Sequence, residues 1–146
     1  MDDLVVVNRP IQEVFAFVTD HANDKYWKPF VTESRKISSG PIGVGTRFEI
    51  VTTVWGYRRA SEVEVLEYEP SHRYTYKGHD EIFPFIAELS FSETLSGTHI
   101  HGNVEFQAQG VWKLLSPLPL IFFRSQTKST FARLKQVIEN TPRQDK

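Results

Sequence analysis

The stretch Leu4-Val5-Val6-Val7-Asn8-Arg9-Pro10-Ile11-Gln12-Glu13-Val14-Phe15-Ala16-Phe17-Val18 changes its apolar period once, and that change organises the reading of the whole chain. Leu4 to Val7 is a β-branched run that reads as a strand. Asn8-Arg9-Pro10 then turns the chain, with Asn8 or Arg9 near the helix N-cap and Pro10 in the first turn, where its missing N–H does no harm. Ile11, Val14, Phe15 and Val18 recur at helical spacing, so one stripe of a short helix lies on something apolar while Gln12 and Glu13 face water. Asp20 to Asp24 is polar and starts a second short helical turn toward Tyr26-Trp27, which Pro29 ends.

Beyond Thr32 the period becomes two. Val31–Ser38, Thr46–Trp55, Arg58–Tyr68, Arg73–Gly78, Phe85–Ser92 and Thr98–Ala108 each show β-branched or aromatic enrichment with partial alternation. Short turns separate them, Ser39-Gly40-Pro41-Ile42-Gly43, Trp55-Gly56-Tyr57, Glu69-Pro70-Ser71, His79-Asp80-Glu81 and Leu95-Ser96-Gly97, which suits hairpins of an antiparallel meander with sequential strands as neighbours. Pro84 fits only the start or edge of its strand. A closing helix is expected from near Val111-Trp112 through Asn140, disturbed by Pro117 and Pro119, with Phe123, Thr127, Phe131, Leu134 and Ile138 on one apolar stripe. The reading is an α+β fold: a seven-stranded antiparallel sheet, one or two short helices after the first strand, and a long C-terminal helix. Alternation puts Phe48, Ile50, Thr52 and Val54, then Val63 and Val65, then Ala87, Leu89 and Phe91, then Ile100, Gly102, Val104 and Phe106 on the face toward that helix. Gly102 among larger residues signals either a bulge or room inside.

The length of 146 residues suits one domain spanning residues 1–146. Seventeen basic and eighteen acidic side chains, interspersed, give a net charge of −1 and no electrostatic footprint for nucleic acid or an anionic membrane along the sequence. The lack of cysteine excludes disulfides, thiolate nucleophiles and cysteine-ligated metals and fits a reducing compartment, so the cytoplasm is the expected location. Its longest apolar stretch, Leu118 to Phe123, is too short to span a bilayer, so no stable membrane insertion is expected.

Several further segments carry a resemblance. They are Arg9-Pro10 with Val14-Phe15 and Asp20; Trp27 before Pro29; Gly43-Val44-Gly45-Thr46-Arg47-Phe48; Val65-Leu66-Glu67-Tyr68-Glu69-Pro70; Gly97-Thr98-His99-Ile100; and Leu134-Lys135. In this order they make the chain resemble the START-like (SRPBCC) superfamily, and within it the polyketide cyclase/dehydratase and lipid-transport-like branch. That resemblance implies a helix-grip fold, with a curved sheet wrapped around the C-terminal helix and a deep cavity between them for lipids, polyketides or other apolar molecules. It carries over no catalytic residue.

The candidate chemistry of individual residues is sparse. His99 and His101 project from one strand face and could share a metal, but no third ligand lies at recognisable spacing, so no metal and no cofactor are expected. His21, His72 and His79 fall in turns and read as solvated, with His79-Asp80 a weaker acid/base candidate. Glu62, Glu64 and Glu88 alternate with apolar neighbours and read as outward. Arg47, Arg58 and Arg59 read as edge-protecting cations. Amphipathic aromatics are better candidates, because such a ring packs apolar surface and still offers one hydrogen bond; Trp55, Tyr57 and Trp112 are considered with Tyr26, Trp27, Tyr74 and Tyr76. Ser116 to Phe123 reads either as an entrance lid or as a kinked helix start.

The expected cavity lining therefore takes Tyr26 and Trp27 from the helical corner and Phe48, Ile50, Val65, Tyr74 and Tyr76 from the middle strands. It adds Leu89, Phe91, Val104 and Phe106 from the last strands, and Phe123, Thr127 and Phe131 from the closing helix. The favoured function is cofactor-free binding of a small hydrophobic molecule, with no nucleic-acid partner and a homodimer left open. A cyclase, dehydratase or hydrolase using acid/base groups in the same cavity is the alternative, and a protein-interaction module with a filled cavity is the third.

Overall fold

The computed structural model describes residues 2–79, 84–106 and 130–140. Strand β1 (Asp2–Val7) leads into helix α1 (Ile11–Thr19), a 3₁₀ turn (His21–Asn23) and a single α-helical turn, α2 (Asp24–Trp27). Six strands follow: β2 (Val31–Lys36), β3 (Arg47–Val54), β4 (Tyr57–Glu69), β5 (Arg73–His79), β6 (Phe85–Thr94) and β7 (Gly97–Phe106). Residues 130–140 form the closing helix, α3. The first helix starts one residue later than expected: Pro10 itself occupies the cap, with no side-chain capping bond, and Ile11 opens the helix.

All seven strands form one antiparallel sheet in the order β1-β7-β6-β5-β4-β3-β2. From β2 to β7 it is the expected meander. β1 departs from the neighbour rule by pairing with β7, from Asp2 opposite Asn103 to Val7 opposite Thr98. The α1–α2 segment thus crosses from one edge of the sheet to the other, and that crossing lays it over the inner face. Register irregularities at Val31/Glu33 and Val65/Glu67 mark β-bulges that bend their strands.

The inner face is apolar as alternation predicts. Phe48, Ile50, Val63, Val65, Ala87, Leu89, Phe91 and Ile100 are buried in one core with Ile11, Val14, Phe15 and Val18 of α1. Val54 is exposed and Thr52 half-buried, because the end of β3 runs past the helical layer into its hairpin tip. On α3, Leu134 and Ile138 are buried and Phe131 packs against the core, so the expected stripe holds there, while Phe123, Thr127 and the 116–123 segment lie outside the described residues. Gly102 sits in an unbroken β6–β7 register, so no bulge explains it. A Cβ there would lie 3.0 Å from Phe131 Cζ and 3.1 Å from Leu89 Cδ2, so the glycine makes room that the Phe131 ring already occupies. Across β5 and β6, the ring of Phe85 likewise lies over Gly78.

Polar contacts tie the end of α3 to the first turn. Asn8 N–H donates to Glu139 Oε2 at 2.8 Å, Lys135 Nζ donates to the Val6 carbonyl at 2.8 Å, and Arg9 donates to the Glu139 carbonyl. Both acceptors on Glu139 satisfy groups near an element end, which fixes where the helix closes over the sheet.

Candidate functional site

The corner between α1 and β2 is built from polar residues that cap one another. Asp20 Oδ1 accepts from Ala22 N–H at 3.0 Å, Asn23 Nδ2 donates to the Phe17 carbonyl at 3.1 Å, and Ser34 Oγ donates to the Ala22 carbonyl at 3.0 Å. These bonds hold the 3₁₀ turn against the inner face of β2, and its first residue, His21, points inward. The expectation that His21 is solvated is therefore wrong: its side chain is only 1% exposed. His72 and His79 are exposed as expected.

A chain of four polar groups runs inward from this corner. His21 Nδ1 lies 2.8 Å from Asp24 Oδ2, Lys28 Nζ donates to the same oxygen at 3.0 Å, and Lys28 Nζ also donates to the Tyr76 hydroxyl at 3.3 Å. Aromatic rings enclose it: Phe48, Tyr74 and Tyr76 have centroids 5.0, 5.6 and 4.4 Å from that of His21. Lys28 Nζ also lies over the rings of Trp27 and Tyr76, at 5.1 and 5.3 Å from their centroids.

The electrostatics follow from burial and pairing. Burial alone raises the Asp24 pKa, but the Lys28 ammonium, His21 and the hydrogen bonds from both outweigh it and hold the carboxyl below its ordinary value. Burial lowers that of Lys28, and the Asp24 carboxylate with Tyr76 reverses the shift, so the ammonium stays charged. Burial, followed by the neighbouring Tyr76 and Asp24, pushes the Tyr74 phenol well up, so it remains an O–H donor. His21 Nδ1 faces Asp24, so Nε2 is the ring nitrogen left for another partner, as donor or acceptor according to the tautomer.

Five buried polar atoms have no hydrogen-bond partner among the described residues: His21 Nε2, Asp24 Oδ1, Trp27 Nε1, Tyr74 Oη and Thr75 Oγ1. Thr75, opposite the exposed Glu88, lies on the other face of the sheet, and the remaining four belong to the inner face and its helical corner, where buried polar groups are normally satisfied. Tyr74 Oη donates, which suits the oxygen of a hydroxyl or carbonyl on an otherwise apolar molecule.

Acidification should weaken both this corner and the contact of α3 with the first turn. Asp24 and Glu139 both have native pKa values below their ordinary 3.8 and 4.5, the latter chiefly through the Asn8 N–H bond. A depressed native pKa contributes stability that is present above the unfolded value and lost as pH falls through the native one. Denaturant unfolding should thus show stability declining below about pH 4.5, and Asp24→Asn should flatten the lower part of that decline.

The residues expected to line a cavity divide cleanly. Trp27, Phe48, Ile50, Val65, Tyr74, Tyr76, Leu89 and Phe91 are buried on the inner face, and Val104 and Phe131 pack against them. Trp27 stacks on Phe131 with centroids 6.5 Å apart, which joins α2 to α3 across the sheet. Tyr26 is 53% exposed, since it points away from the helical corner that buries Trp27. Trp55 and Tyr57 are also exposed, at a hairpin tip. The side chain of Phe106, like Phe123, Thr127 and Trp112, lies outside the described residues.

Glu88 is exposed, while Glu62 and Glu64 are half-buried, with Glu64 paired to His79 at 3.2 Å. His101 is exposed and His99 meets Ser92 Oγ at 3.3 Å. No group of three or more possible metal ligands occurs among the described residues, and no helix among them is long and apolar enough to cross a membrane. A surface depression of about 260 Å³ lined by Lys25, Thr32, Glu33, Ser34, Arg35, Glu49 and Val51 offers an Arg35–Glu49 ion pair rather than an apolar interior.

Sequence reasoning missed His21, Asp24 and Lys28. Their spacing of three and four places them on one helical face, which is the signal that was there to be read, but a run so polar reads equally well as solvated.

The fold recurs in solved structures. Protein TTHA0849 from Thermus thermophilus is similar at a TM-score of 0.76 and 16% identity, with 94% of this chain and 95% of that chain covered. Protein NE0264 from Nitrosomonas europaea is similar at 0.73 and 17%, covering 95% and 93%. The di-domain ARO/CYC BexL from the BE-7585A biosynthetic pathway is similar at 0.72 and 18%, covering 97% of this chain and 50% of that one. At these identities the likeness is one of fold. No curated protein matches the chain. A family profile, however, matches residues 2–139, nearly the whole length, and by that match the chain belongs to the polyketide cyclase/dehydrase and lipid transport family.

Proposed function

We propose that the protein binds a small, largely apolar molecule bearing one hydroxyl or carbonyl group, held between the inner face of the sheet and α3. The observation that carries this reading is the pair of buried, unpartnered groups, Tyr74 Oη and His21 Nε2, set among the aromatic rings of the core. Apolar burial supplies affinity, and the two polar atoms orient the ligand. Family membership and the likeness to an ARO/CYC di-domain support a hydrophobic ligand of this kind.

Mass spectrometry of molecules copurifying after gentle isolation, followed by thermal-shift titration, tests the reading. At about a hundred times Kd, linkage adds roughly 2.7 kcal/mol and raises Tm by several degrees. Tyr74→Phe should leave stability unchanged or raise it by up to about 1 kcal/mol, because it deletes a buried hydroxyl without a partner, while weakening the ligand about tenfold. Unchanged affinity in that variant would reject Tyr74 as the anchor.

One observation favours a catalytic version of the same site. The Asp24 carboxylate orients His21 so that Nε2 faces away from it, the arrangement of a general base. A polyketide-like substrate would lose a proton to Nε2 while Tyr74 donates to its carbonyl oxygen. His21→Gln should then abolish turnover while retaining binding; turnover that survives the change rejects His21 as the base, and binding without turnover in the wild type leaves the carrier.

A further inference from the structure

Two segments free of acidic residues, Lys25-Tyr26-Trp27-Lys28-Pro29-Phe30 and Val54-Trp55-Gly56-Tyr57-Arg58-Arg59, lie far apart in the chain and meet at one end of the sheet. The Thr53 N–H donates to the Phe30 carbonyl at 2.8 Å, which ties the start of β2 to the β3–β4 hairpin tip. Side chains exposed there are Trp55 at 100%, Tyr57 at 76%, Tyr26 at 53% and Phe30 at 40%. Most of these are large rings that folding would ordinarily bury.

The backbone holds two of them outward under strain. Val54 pairs with Tyr57, so Trp55-Gly56 is a two-residue hairpin loop, and both residues have positive φ, 50° and 80°. Such a loop favours Asn or Asp before Gly, not a tryptophan. Phe30 has a φ of 69° as well. Strain of this sort persists where something outside folding stability requires the side chain.

Cations surround the rings. Lys25, Arg35 and Arg58 are exposed and Arg59 is half-buried, against two nearby carboxylates, Glu33 paired with Arg58 and Glu49 paired with Arg35. Lys28 turns inward to Asp24 and contributes no outward charge. A narrow hairpin tip offers neither the flat area of a stable protein interface nor the groove in which nucleic-acid strands are tracked. Projecting tryptophan and tyrosine rings flanked by arginines suit the headgroup layer of a lipid bilayer.

We infer that this end of the sheet docks reversibly on an anionic membrane surface, with Trp55 and Tyr57 entering the headgroup layer and Lys25, Arg58 and Arg59 meeting lipid phosphates. This surface does not rest on the ligand reading, since its rings are exposed whereas His21 and Tyr74 are buried.

Vesicle sedimentation tests it, using the full chain with phosphatidylcholine vesicles containing about 30% phosphatidylglycerol, and with pure phosphatidylcholine. The protein should partition onto the anionic vesicles, and partitioning should fall when salt rises from about 0.05 M to about 0.5 M. Trp55→Asn should weaken partitioning about tenfold while holding or raising Tm, since asparagine suits the turn. Arg58→Gln with Arg59→Gln should weaken it by a similar factor. No partitioning of the wild type, or partitioning that Trp55→Asn leaves unchanged, overturns the inference. Binding of a single-stranded oligonucleotide that depends on Trp55, without vesicle binding, overturns it in favour of nucleic acid.

Discussion

Asp24→Asn should cost about 3 kcal/mol of stability and lower Tm by roughly 10 °C, because it removes the charge that compensates Lys28 and weakens the bond that orients His21. Asparagine keeps the volume, so packing loss does not explain the effect. What remains is an ammonium with less than a quarter of its side chain exposed, facing a neutral amide and the Tyr76 hydroxyl. The double variant Asp24→Leu with Lys28→Met should recover most of the loss, since replacing both ions by apolar groups removes two desolvation penalties together. Urea unfolding of Asp24→Leu, Lys28→Met and the double variant forms a cycle that measures the coupling. If Asp24→Asn alone changes stability by less than about 1 kcal/mol, the cluster does not hold the corner.

Leu134→Ala should cost about 3 kcal/mol as well, for a different reason. Leu134 is wholly buried on the stripe of α3 that closes over the sheet, so truncation deletes transfer free energy and leaves a cavity. Arg133→Ala, one residue away on the exposed side, should change stability by less than about 0.5 kcal/mol. Phe131→Ala discriminates further. That ring is only half-buried, yet it fills the space above Gly102 and stacks on Trp27. A smaller loss than for Leu134→Ala, accompanied by altered ligand affinity, is the expected result if Phe131 borders the binding space. Equal losses with unchanged affinity would make it ordinary core. Thermal and denaturant unfolding with ligand titration measure both quantities.

The aromatic hairpin tip illustrates how charge reading along a chain differs from charge reading on a surface. Along the sequence, acids and bases alternate closely enough that no basic patch stands out. Folding brings residues 25–30 beside residues 54–59, and the acids nearest them are met by cations, Glu33 by Arg58 and Glu49 by Arg35. A surface potential is a sum over space, so only the pairing of β2 with β3 could reveal it.

Local periodicity is enough to read the seven strands, the meander, α1 and the buried stripe of α3, because each depends on side chains two, three or four residues apart. The inward face of β6 and β7, with Leu89, Phe91 and Ile100, comes from alternation alone. The partner of β1 does not, since the choice between the two edges of a sheet is made by a crossing segment and not by the strand itself. Gly102 is ambiguous for the same reason: whether its missing Cβ means a bulge, a void or a tight fit depends on Phe131, twenty-nine residues away in sequence. His21 is the sharpest case. Its neighbours Asp20, Asn23 and Asp24 make the turn look solvated, and nothing within reach along the chain says otherwise. Burial comes from Phe48, Tyr74 and Tyr76 on β3 and β5, which meet the turn only once the sheet has formed beneath it. Whether a polar group is wet or buried is set by what covers it, and that is a property of tertiary packing.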